Sequence, residues 1–433
     1  MTPKKLNQIT LKRIKDSSTG KMGLSWIAHS LKHYSAEKII DSHFPSLSVS
    51  NRSISAGRKV MEGALMLIAG GERIEDIEVL RADQGLCENL GLGQYKIISP
   101  DTLRELLKIN KSGGQLRKSN EELMIKVMKE SVEQKLTYDN DATYLDSAKD
   151  SAEYSYQKRK QFSGLLGFIA ELGICLTEDF RKGNISPREG IVNQLRKAIQ
   201  MAKKAGKKIF KVRMDSAGHQ NKIFELCNKE TIKYYISLAK NNEIKESIEQ
   251  LDVDQWTKLD KDKSDNENVE WSETIYAPNK GEAMRMLVLR WPNPDPNLFE
   301  QSPYCYHAIG TNDNDIAPMD WLEEHNGRMN SENYNKELKN GLNGGYTPSH
   351  DYSLNRNYFL LNVFAYNLVQ IIKLFYLGAK ARNWTVKTLR YWFIQVSGKI
   401  IKSGRRYLCK LSNVTDKTYS MFENCLSRLI QVV

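Results

Sequence analysis

The chain has 433 residues, of which 40% are hydrophobic and 27% are charged, and its formal net charge is +12. This length predicts several structural parts, and the composition is ordinary for a globular protein. No apolar run approaches the roughly 18 residues that span a bilayer, so we expect a cytoplasmic protein without a membrane partner. The six cysteines are scattered, without a Cys-x-x-Cys pair, which argues against structural zinc and a disulfide scaffold.

The positive charge is concentrated towards one end of the chain. Residues 352–433 contain 13 Lys and Arg against 2 acids, a net of +11, whereas residues 241–280 contain 11 acids against 5 Lys, a net of −6. Such a division predicts one surface that binds a polyanion, with nucleic acid as the leading partner. A basic tail that only increases solubility is the alternative.

Residues 1–130 are predicted to be helical and to form an N-terminal DNA-binding region. Predicted helices cover Lys21–His33, Ser53–Ala69 and a segment that begins at Pro100. Ser99 and Pro100 form a typical helix start, with Ser as the N-cap and Pro in the first turn. The helix that follows is a candidate for the reading helix of a helix-turn-helix, although Asp101 and Glu105 weaken that interpretation.

From about Gln134 the pattern changes to short apolar strands that alternate with helices. The predicted elements are strands at 136–143, 164–170 and 173–177, a helix at 186–206, a strand at 208–215, a helix at 219–228 and a strand at 232–238. The first of these helices is predicted to open on a capping box at Ser186 and Glu189. The order β-β-β-α-β-α-β predicts a mixed α/β layer, the first part of a core at residues 131–240.

The remainder of the chain is predicted to form an insertion, a second part of this core and a separate C-terminal region. A mostly β insertion covers residues 241–310, with strands at 284–291 and 304–309. The core resumes at residues 311–350 with one helix. Residues 351–433 form a basic C-terminal region, with a long buried helix from Tyr358 to Gly378 and a β-hairpin at 399–411.

The helix of the resumed core carries an unusual set of charges. Arg328 and Glu332 are four residues apart and Lys339 follows seven residues later, so all three fall near one helical stripe. A carboxylate flanked by two cations suits a site that holds a metal ion and binds phosphates beside it. An exposed helix with i, i+4 ion pairs is the alternative.

Two acidic strand ends upstream favour the metal site. Asp141 and Asp215 end the first and fourth predicted strands, which lie side by side in the ribonuclease H topology. The helix packs against this sheet and brings Glu332 to the same edge. Three carboxylates that converge in this way repel each other unless a cation lies among them, and Mg²⁺ prefers such oxygen ligands.

With these acids in this order, the chain resembles bacterial insertion-sequence transposases of the DDE superfamily, which have an RNase H-like, retroviral integrase fold. It resembles in particular the branch with a β-rich insertion in the catalytic core, the group typified by insertion sequence 1380. The matching residues are Asp141 in Asp-Ala-Thr, Asp215, and Arg328, Glu332 and Lys339 in Arg-x3-Glu-x6-Lys. That branch usually has Tyr three residues before the Arg, where this chain has His325.

The resemblance implies both a site and an activity. Asp141, Asp215 and Glu332 would hold two Mg²⁺ ions, with Mn²⁺ as an alternative ion. Arg328, Lys339 and, by position, His325 would contact phosphates. The protein would act as a homodimer on the terminal inverted repeats of double-stranded DNA, cleave the ends by hydrolysis and join the 3′-hydroxyl to target DNA. A metal-dependent nuclease of the same fold and a domesticated, non-catalytic DNA-binding protein are the alternatives.

Some assignments stay open at this stage. Asp139 shares a strand face with Asp141 and is the alternative metal ligand, although the family pattern of Asp before a small residue and Thr favours Asp141. His219 would either act near the metals or only start a helix. A Trp in this region of relatives stacks on a flipped base, and burial in the insertion is the alternative for each of Trp256, Trp271 and Trp291.

Overall fold

The computed structural model describes residues 17–44, 53–92, 95–109, 113–260, 263, 266–294, 302–404 and 406–432. The chain forms two compact units: Met1–Ile109 together with Ile371–Val433, and Asn110–Gln370. The finer boundaries proposed from the sequence stay predictions.

The N-terminal part of the first unit is helical, as predicted. Its helices are α1 (Met22–His33), α2 (Ala36–His43), α3 (Ala56–Ala69), α4 (Ile77–Arg81), α5 (Gln84–Asn89) and α6 (Pro100–Ile109). Helix α3 ends at Gly70, whose φ of +104° is accessible to glycine at little cost. The predicted start of α6 is confirmed, because Ser99 Oγ accepts a hydrogen bond from the backbone N–H of Thr102 at 3.3 Å.

The second unit combines helices with one large mixed sheet, which confirms the predicted mixed α/β class. Its helices are α7 (Gly114–Glu130), α8 (Ile191–Lys204), α9 (Asn221–Lys229), α10 (Asn242–Glu249), α11 (Pro318–Asn326), α12 (Met329–Lys336) and α13 (Tyr352–Ile371). Its strands are β1 (Lys135–Asp146), β2 (Glu153–Tyr154), β3 (Lys160–Ile169), β4 (Ile174–Lys182), β5 (Lys208–Met214), β6 (Lys233–Ser237), β7 (Thr257–Lys258), β8 (Glu270–Tyr276), β9 (Met284–Pro292) and β10 (Tyr304–Thr311). The strand order is β2-β3-β1-β5-β6-β10-β9-β8-β7, and β4 pairs with β3.

The predicted neighbourhood of the first and fourth core strands is confirmed, since β1 and β5 are parallel partners. Asp141, however, lies inside β1 rather than at its end. The antiparallel partner β3 continues alongside β1 and pairs Asp141 with Leu166, so the strand runs on to Asp146. The pairing with β5 stops at Asn140 and Met214. Asp141 therefore stands where β1 loses its parallel neighbour, next to the loop that carries Asp215.

The strands of residues 241–310 extend the central sheet rather than form a sheet of their own. Strand β10 pairs antiparallel with β6, and β9, β8 and β7 follow outwards. Trp271 and Trp291 pack, partly buried, against a core cluster there that includes Trp321. The indole of Trp256 lies over the guanidinium of Arg290, at 3.9 Å from the ring centre. Stacking of one of these rings on a base stays a prediction.

The predicted capping box at Ser186 is wrong, because α8 begins at Ile191. The guanidinium of Arg181 donates to the carbonyl oxygens of Ser186 and Glu189, at 3.4 and 2.6 Å, and holds this segment as a turn. Gly190, with φ of +88°, then redirects the chain into the helix.

Helix α13 begins six residues before the predicted Tyr358 and is almost wholly buried. The polar side chain of Asn367 is accommodated in this buried helix because both of its polar atoms have partners. Its oxygen accepts from the N–H of Cys175 and its amide donates to the carbonyl oxygen of Cys175, each at 2.8 Å. The prediction that no apolar run approaches the length of a membrane span is wrong, because within the described residues Tyr352–Tyr376 is long and apolar enough by length and composition alone. Because 89% of its most apolar stretch is buried, it has the character of a core helix.

The C-terminal part of the first unit packs with the N-terminal helices. It contains α14 (Val386–Leu389), a hairpin of β11 (Gly398–Ser403) and β12 (Arg406–Leu411), and α15 (Asp416–Val432). The hairpin confirms the prediction for residues 399–411. Arg390 donates to the carbonyl oxygens of Leu67 and Ile68 at the end of α3, at 2.7 and 2.8 Å.

Candidate active site

An open cavity of about 280 Å³ lies between β1 and the segment of α12 and its continuation. Its lining residues are Asp141, Thr143, Glu332, Asn335, Lys336, Lys339 and Asn340. Three of the predicted site residues, Asp141, Glu332 and Lys339, therefore share one cavity. All three reach it from elements of the second unit.

Helix α12 is held against β1 by polar contacts at the cavity wall. The Asn335 amide donates to Asp141 Oδ2 at 2.8 Å, and Lys339 Nζ donates to the carbonyl oxygen of Tyr144 at 2.9 Å. Lys339 lies in a π-helical turn, Glu337–Gly341, that continues α12. This wider turn, rather than the regular helical stripe assumed from spacing, directs Lys339 towards β1.

Asp141 is the electrostatic centre of this group. Burial, together with the negative charges of Asp215 and Glu332, raises its pKa from 3.8 to about 6, and the positive charge of Arg328 opposes the shift. Asp215 directly follows β5, and its Oδ1 accepts a hydrogen bond from the N–H of Ala217 at 3.0 Å. The charges of Asp215 and Glu332 therefore both act on Asp141, although Asp215 does not line the cavity.

Glu332 turns towards Arg328 at the start of its own helix. Nη1 of Arg328 lies 3.3 Å from Oε1 of Glu332, and the two side chains are 19% and 57% exposed. An exposed pair of this kind adds at most about 1 kcal/mol, so a competing ligand can separate it at little cost. The Nε of Arg328 is buried and has no hydrogen-bond partner among the described residues.

The donor chemistry of the three carboxylates fits a hard divalent cation, which prefers oxygen ligands. Their present arrangement is not yet a metal centre. Among the described residues, no group of three or more His, Cys, Asp or Glu side chains is placed to hold a metal ion. Because the Glu332 side chain is exposed and only weakly paired, it is the member of the set that can most easily reorient.

Asp139, the alternative ligand, has a different environment from Asp141. It is fully buried and accepts two hydrogen bonds of 2.7 Å from Arg213, the residue directly opposite it in β5. Burial raises the pKa of Asp139, and the bonds and charge of Arg213 oppose that shift. Both carboxylate oxygens are occupied by this pair, whereas Asp141 lines the cavity.

Comparison with known proteins identifies a family that this chain matches. The family described as Transposase DDE domain group 1 matches residues 54–433, which is most of the chain. The chain belongs to the DDE transposase family. This membership confirms the superfamily that was predicted from the sequence. Membership in the branch with a β-rich insertion stays a prediction.

Solved structures also match, at low similarity. One is the cryo-EM structure of the piggyBac transposase synaptic complex with hairpin DNA. It has a TM-score of 0.43 and 10% sequence identity, and the match covers 97% of this chain and 81% of that chain. No curated protein matches the transposase significantly.

His325, predicted to contact DNA, lies in the interior of the transposase. It is 3% exposed, with Nδ1 3.2 Å from the carbonyl oxygen of Tyr235 and Nε2 3.1 Å from Ser237 Oγ. Burial and the neighbouring His307 and Arg328 lower its pKa to about 3, so the ring is neutral. A neutral ring donates from Nδ1 to the carbonyl and accepts at Nε2 from the hydroxyl. No local pattern around His325 indicates this burial, and we do not retain His325 as a DNA contact.

His219 is also tied to the backbone. It lies two residues before α9, and its Nδ1 accepts a hydrogen bond from the N–H of Ala239 at 2.8 Å. Burial and the charge of Arg188 lower its pKa. This contact gives His219 a role that neither interpretation from the sequence included, which is to hold the loop after Asp215.

The buried position of His325 predicts a stability defect without a DNA-binding defect. His325→Phe removes both hydrogen bonds and leaves Ser237 Oγ with only His307 Nε2, at 3.3 Å, as a side-chain partner, which we expect to lower the free energy of unfolding by about 1–3 kcal/mol. Urea denaturation measures this change. DNA affinity, measured by fluorescence anisotropy at a temperature where both proteins are folded, should stay within about twofold of the wild type. A large loss of affinity with unchanged stability would return His325 to the DNA-contacting set.

Proposed function

We propose that this transposase cleaves the ends of a mobile DNA element and joins the freed 3′-hydroxyls to target DNA, using Asp141, Asp215 and Glu332 as its catalytic carboxylates. The observation that carries the proposal is electrostatic. Asp141 and Glu332 line one open cavity, and the charges of Glu332 and Asp215 both act on Asp141. Two bound Mg²⁺ ions, or Mn²⁺, would activate the attacking oxygen and stabilise the leaving oxygen.

The other residues around the cavity have binding and orienting roles in this proposal. Arg328 and Lys339 would hold the phosphates of the element end, and a substrate phosphate would replace Glu332 as the partner of Arg328. The amide of Asn335 fixes the orientation of Asp141 through its 2.8 Å bond. The bond from the N–H of Ala217 fixes Asp215 in the same way.

The proposed partners are double-stranded DNA at terminal inverted repeats, target DNA and a second copy of the chain on the paired ends. The net charge of +12 supports a polyanionic partner. The β11–β12 hairpin also supports a polyanionic partner, because its Lys402, Lys410 and Tyr407 side chains are exposed. We place the protein in the bacterial cytoplasm, bound to the nucleoid when on DNA.

The proposal is tested with the DNA that flanks the chain's own coding sequence. The protein is incubated with labelled flanking duplexes and a target plasmid in Mg²⁺, and the cut ends and joined products are mapped by sequencing. We expect cuts at the element boundaries and 3′-ends joined to the plasmid. Cuts without joined products would indicate a nuclease of the same fold, and binding without cuts would indicate a non-catalytic DNA-binding protein.

The proposed phosphate contact of Arg328 predicts a specific salt effect. Arg328→Ala should weaken binding of the element end about tenfold and lower cleavage with it, because one charge-assisted contact is lost. The slope of log affinity against log salt concentration should become shallower by about 1. Lys222→Ala, which removes an exposed cation from α9, is the matched control and should leave both quantities unchanged. Equal effects from the two variants would mean that Arg328 contributes only general positive charge.

A further inference from the structure

Arg213 is buried at the junction of the three segments that carry the proposed carboxylates. Its Nε and Nη2 donate to the two carboxylate oxygens of Asp139, each at 2.7 Å, and its Nη1 donates to the carbonyl oxygen of Glu324 at 3.3 Å. Only 7% of Arg213 is exposed. Burial alone lowers its pKa, but the bonds and charge of Asp139 outweigh that effect and raise it, so the guanidinium stays protonated.

The three bonds connect positions that stand close to each carboxylate in the sequence. Arg213 precedes Asp215 by two residues, and Asp139 precedes Asp141 by two residues. Glu324 lies in α11, which leads through Gly327 into the helix of Glu332. One planar group therefore reaches β1, β5 and the α11–α12 junction at once.

We propose that Arg213 is a positioning residue of the transposase, whose guanidinium sets the distance between Glu332 and the two aspartates. This inference rests on the function proposed above, because it takes Asp141, Asp215 and Glu332 as the reacting centre. The backbone hydrogen bonds of the sheet already align β1 with β5, where Asp139 and Arg213 are direct partners. The helix junction is outside that ladder, so side chains such as Arg213 must set its distance from the sheet.

Gly327 shows how closely the junction fits this guanidinium. A Cβ atom on Gly327 would lie 2.0 Å from Nη1 and 3.1 Å from Cζ of Arg213. The glycine itself has φ of −53°, which any residue adopts, so its backbone conformation does not require glycine. Glycine is required at this position because only a residue without a Cβ atom leaves space for the Arg213 guanidinium. Because Arg213 is fixed by two bonds to Asp139, it cannot move aside without breaking them.

Gly327→Ala therefore displaces the guanidinium without changing any charge. Gly345→Ala is the matched control, since its added Cβ would have its nearest neighbour, the carbonyl oxygen of Lys339, at 4.0 Å. Arg213→Lys keeps the charge but loses the planar, two-bond geometry, and it adds no atom that could clash. The double variant tests whether Gly327 acts through Arg213, because coupled changes are not additive.

The experiment measures three quantities for each variant. These are the rate of cleavage of an element-end duplex, the Mg²⁺ concentration that gives half of the maximal rate, and Mn²⁺ affinity by calorimetry with a pre-cleaved end bound. For Gly327→Ala and Arg213→Lys we expect each quantity to worsen by about 10–100-fold, as for residues that orient metal ligands. The double variant should be no worse than the more affected single variant, and Gly345→Ala should equal the wild type.

A purely structural role gives a different result. Gly327→Ala or Arg213→Lys would then melt at a lower temperature, while the folded protein kept the wild-type rate, Mg²⁺ midpoint and Mn²⁺ affinity, and that result overturns the inference. If Gly327→Ala does not fold, Arg213→Lys decides. A wild-type protein that binds Mn²⁺ but cleaves no end counts against the proposed function, and the Mn²⁺ affinities still test the positioning role.

Discussion

Glu332→Gln is expected to reduce cleavage of the element end by about 10³-fold or more, since a metal-bound carboxylate contributes several kcal/mol to the reaction. The amide keeps the size and shape of the side chain but removes the charge that would bind a divalent cation. Folding should be almost unaffected, because the side chain is 57% exposed and its pair with Arg328 is weak. End binding, measured by gel shift in Ca²⁺, should stay within about twofold of the wild type. Asp215→Asn should show the same separation of cleavage from binding.

Glu323→Gln is the matched control for this prediction. Glu323 is an exposed acid on the preceding helix, paired with Lys263 at 3.0 Å, and it lies outside the cavity. The same substitution there changes the net charge equally, and we expect wild-type cleavage. Retained cleavage in Glu332→Gln would remove that residue from the site. Equal losses in both variants would show that net charge, rather than a ligand, had been changed.

Part of the fold around the candidate site was predicted correctly, while the site residues themselves stay predictions. The pairing of β1 with β5 was expected from the ribonuclease H topology and is confirmed, although only Asp215 follows the end of its strand and Asp141 lies inside β1. The pairing of β10 with β6 could not be predicted, because neighbouring strands in a sheet are chosen by long-range edge pairing. The predicted insertion therefore looked separate in sequence, although its strands continue the central sheet.

Partners from distant segments account for the other differences. A capping box at Ser186 has the right local residues, yet Arg181 from β4 binds the carbonyl oxygens that a helix would use. His325 was expected at the surface from its place beside Arg328 in the sequence, but the strand residues Tyr235 and Ser237 bind its ring in the interior. Period-two alternation placed Asp139 and Asp141 on one strand face without ranking them. Arg213, from a different strand, is what distinguishes their environments.

The different environments of Asp139 and Asp141 predict that an Asp→Asn substitution changes the free energy of unfolding in opposite directions at the two positions. In chelator, Asp141→Asn should stabilise the folded protein at pH 7.5 by about 1–3 kcal/mol, because it removes a buried charge near Asp215 and Glu332. The pKa of Asp141 is raised from 3.8 to about 6 in the folded state, so the folded state binds this proton more tightly than the unfolded chain does. The wild type therefore loses stability as the pH rises from 3.8 through about 6, and the advantage of Asp141→Asn should appear over the same range.

Asp139→Asn should do the reverse, because it leaves the buried guanidinium of Arg213 without its charged partner. Breaking such a pair costs on the order of 3 kcal/mol. Urea denaturation at pH 4.5 and pH 7.5 measures both variants against the wild type, and Asp139→Asn should be destabilised at the higher pH. Added Mg²⁺ should stabilise the wild type more than Asp141→Asn, because the cation replaces the missing partner of the carboxylates. If Asp141→Asn is destabilised in chelator at pH 7.5, the charges of Asp215 and Glu332 do not act on Asp141, and the proposed three-carboxylate site loses its main support.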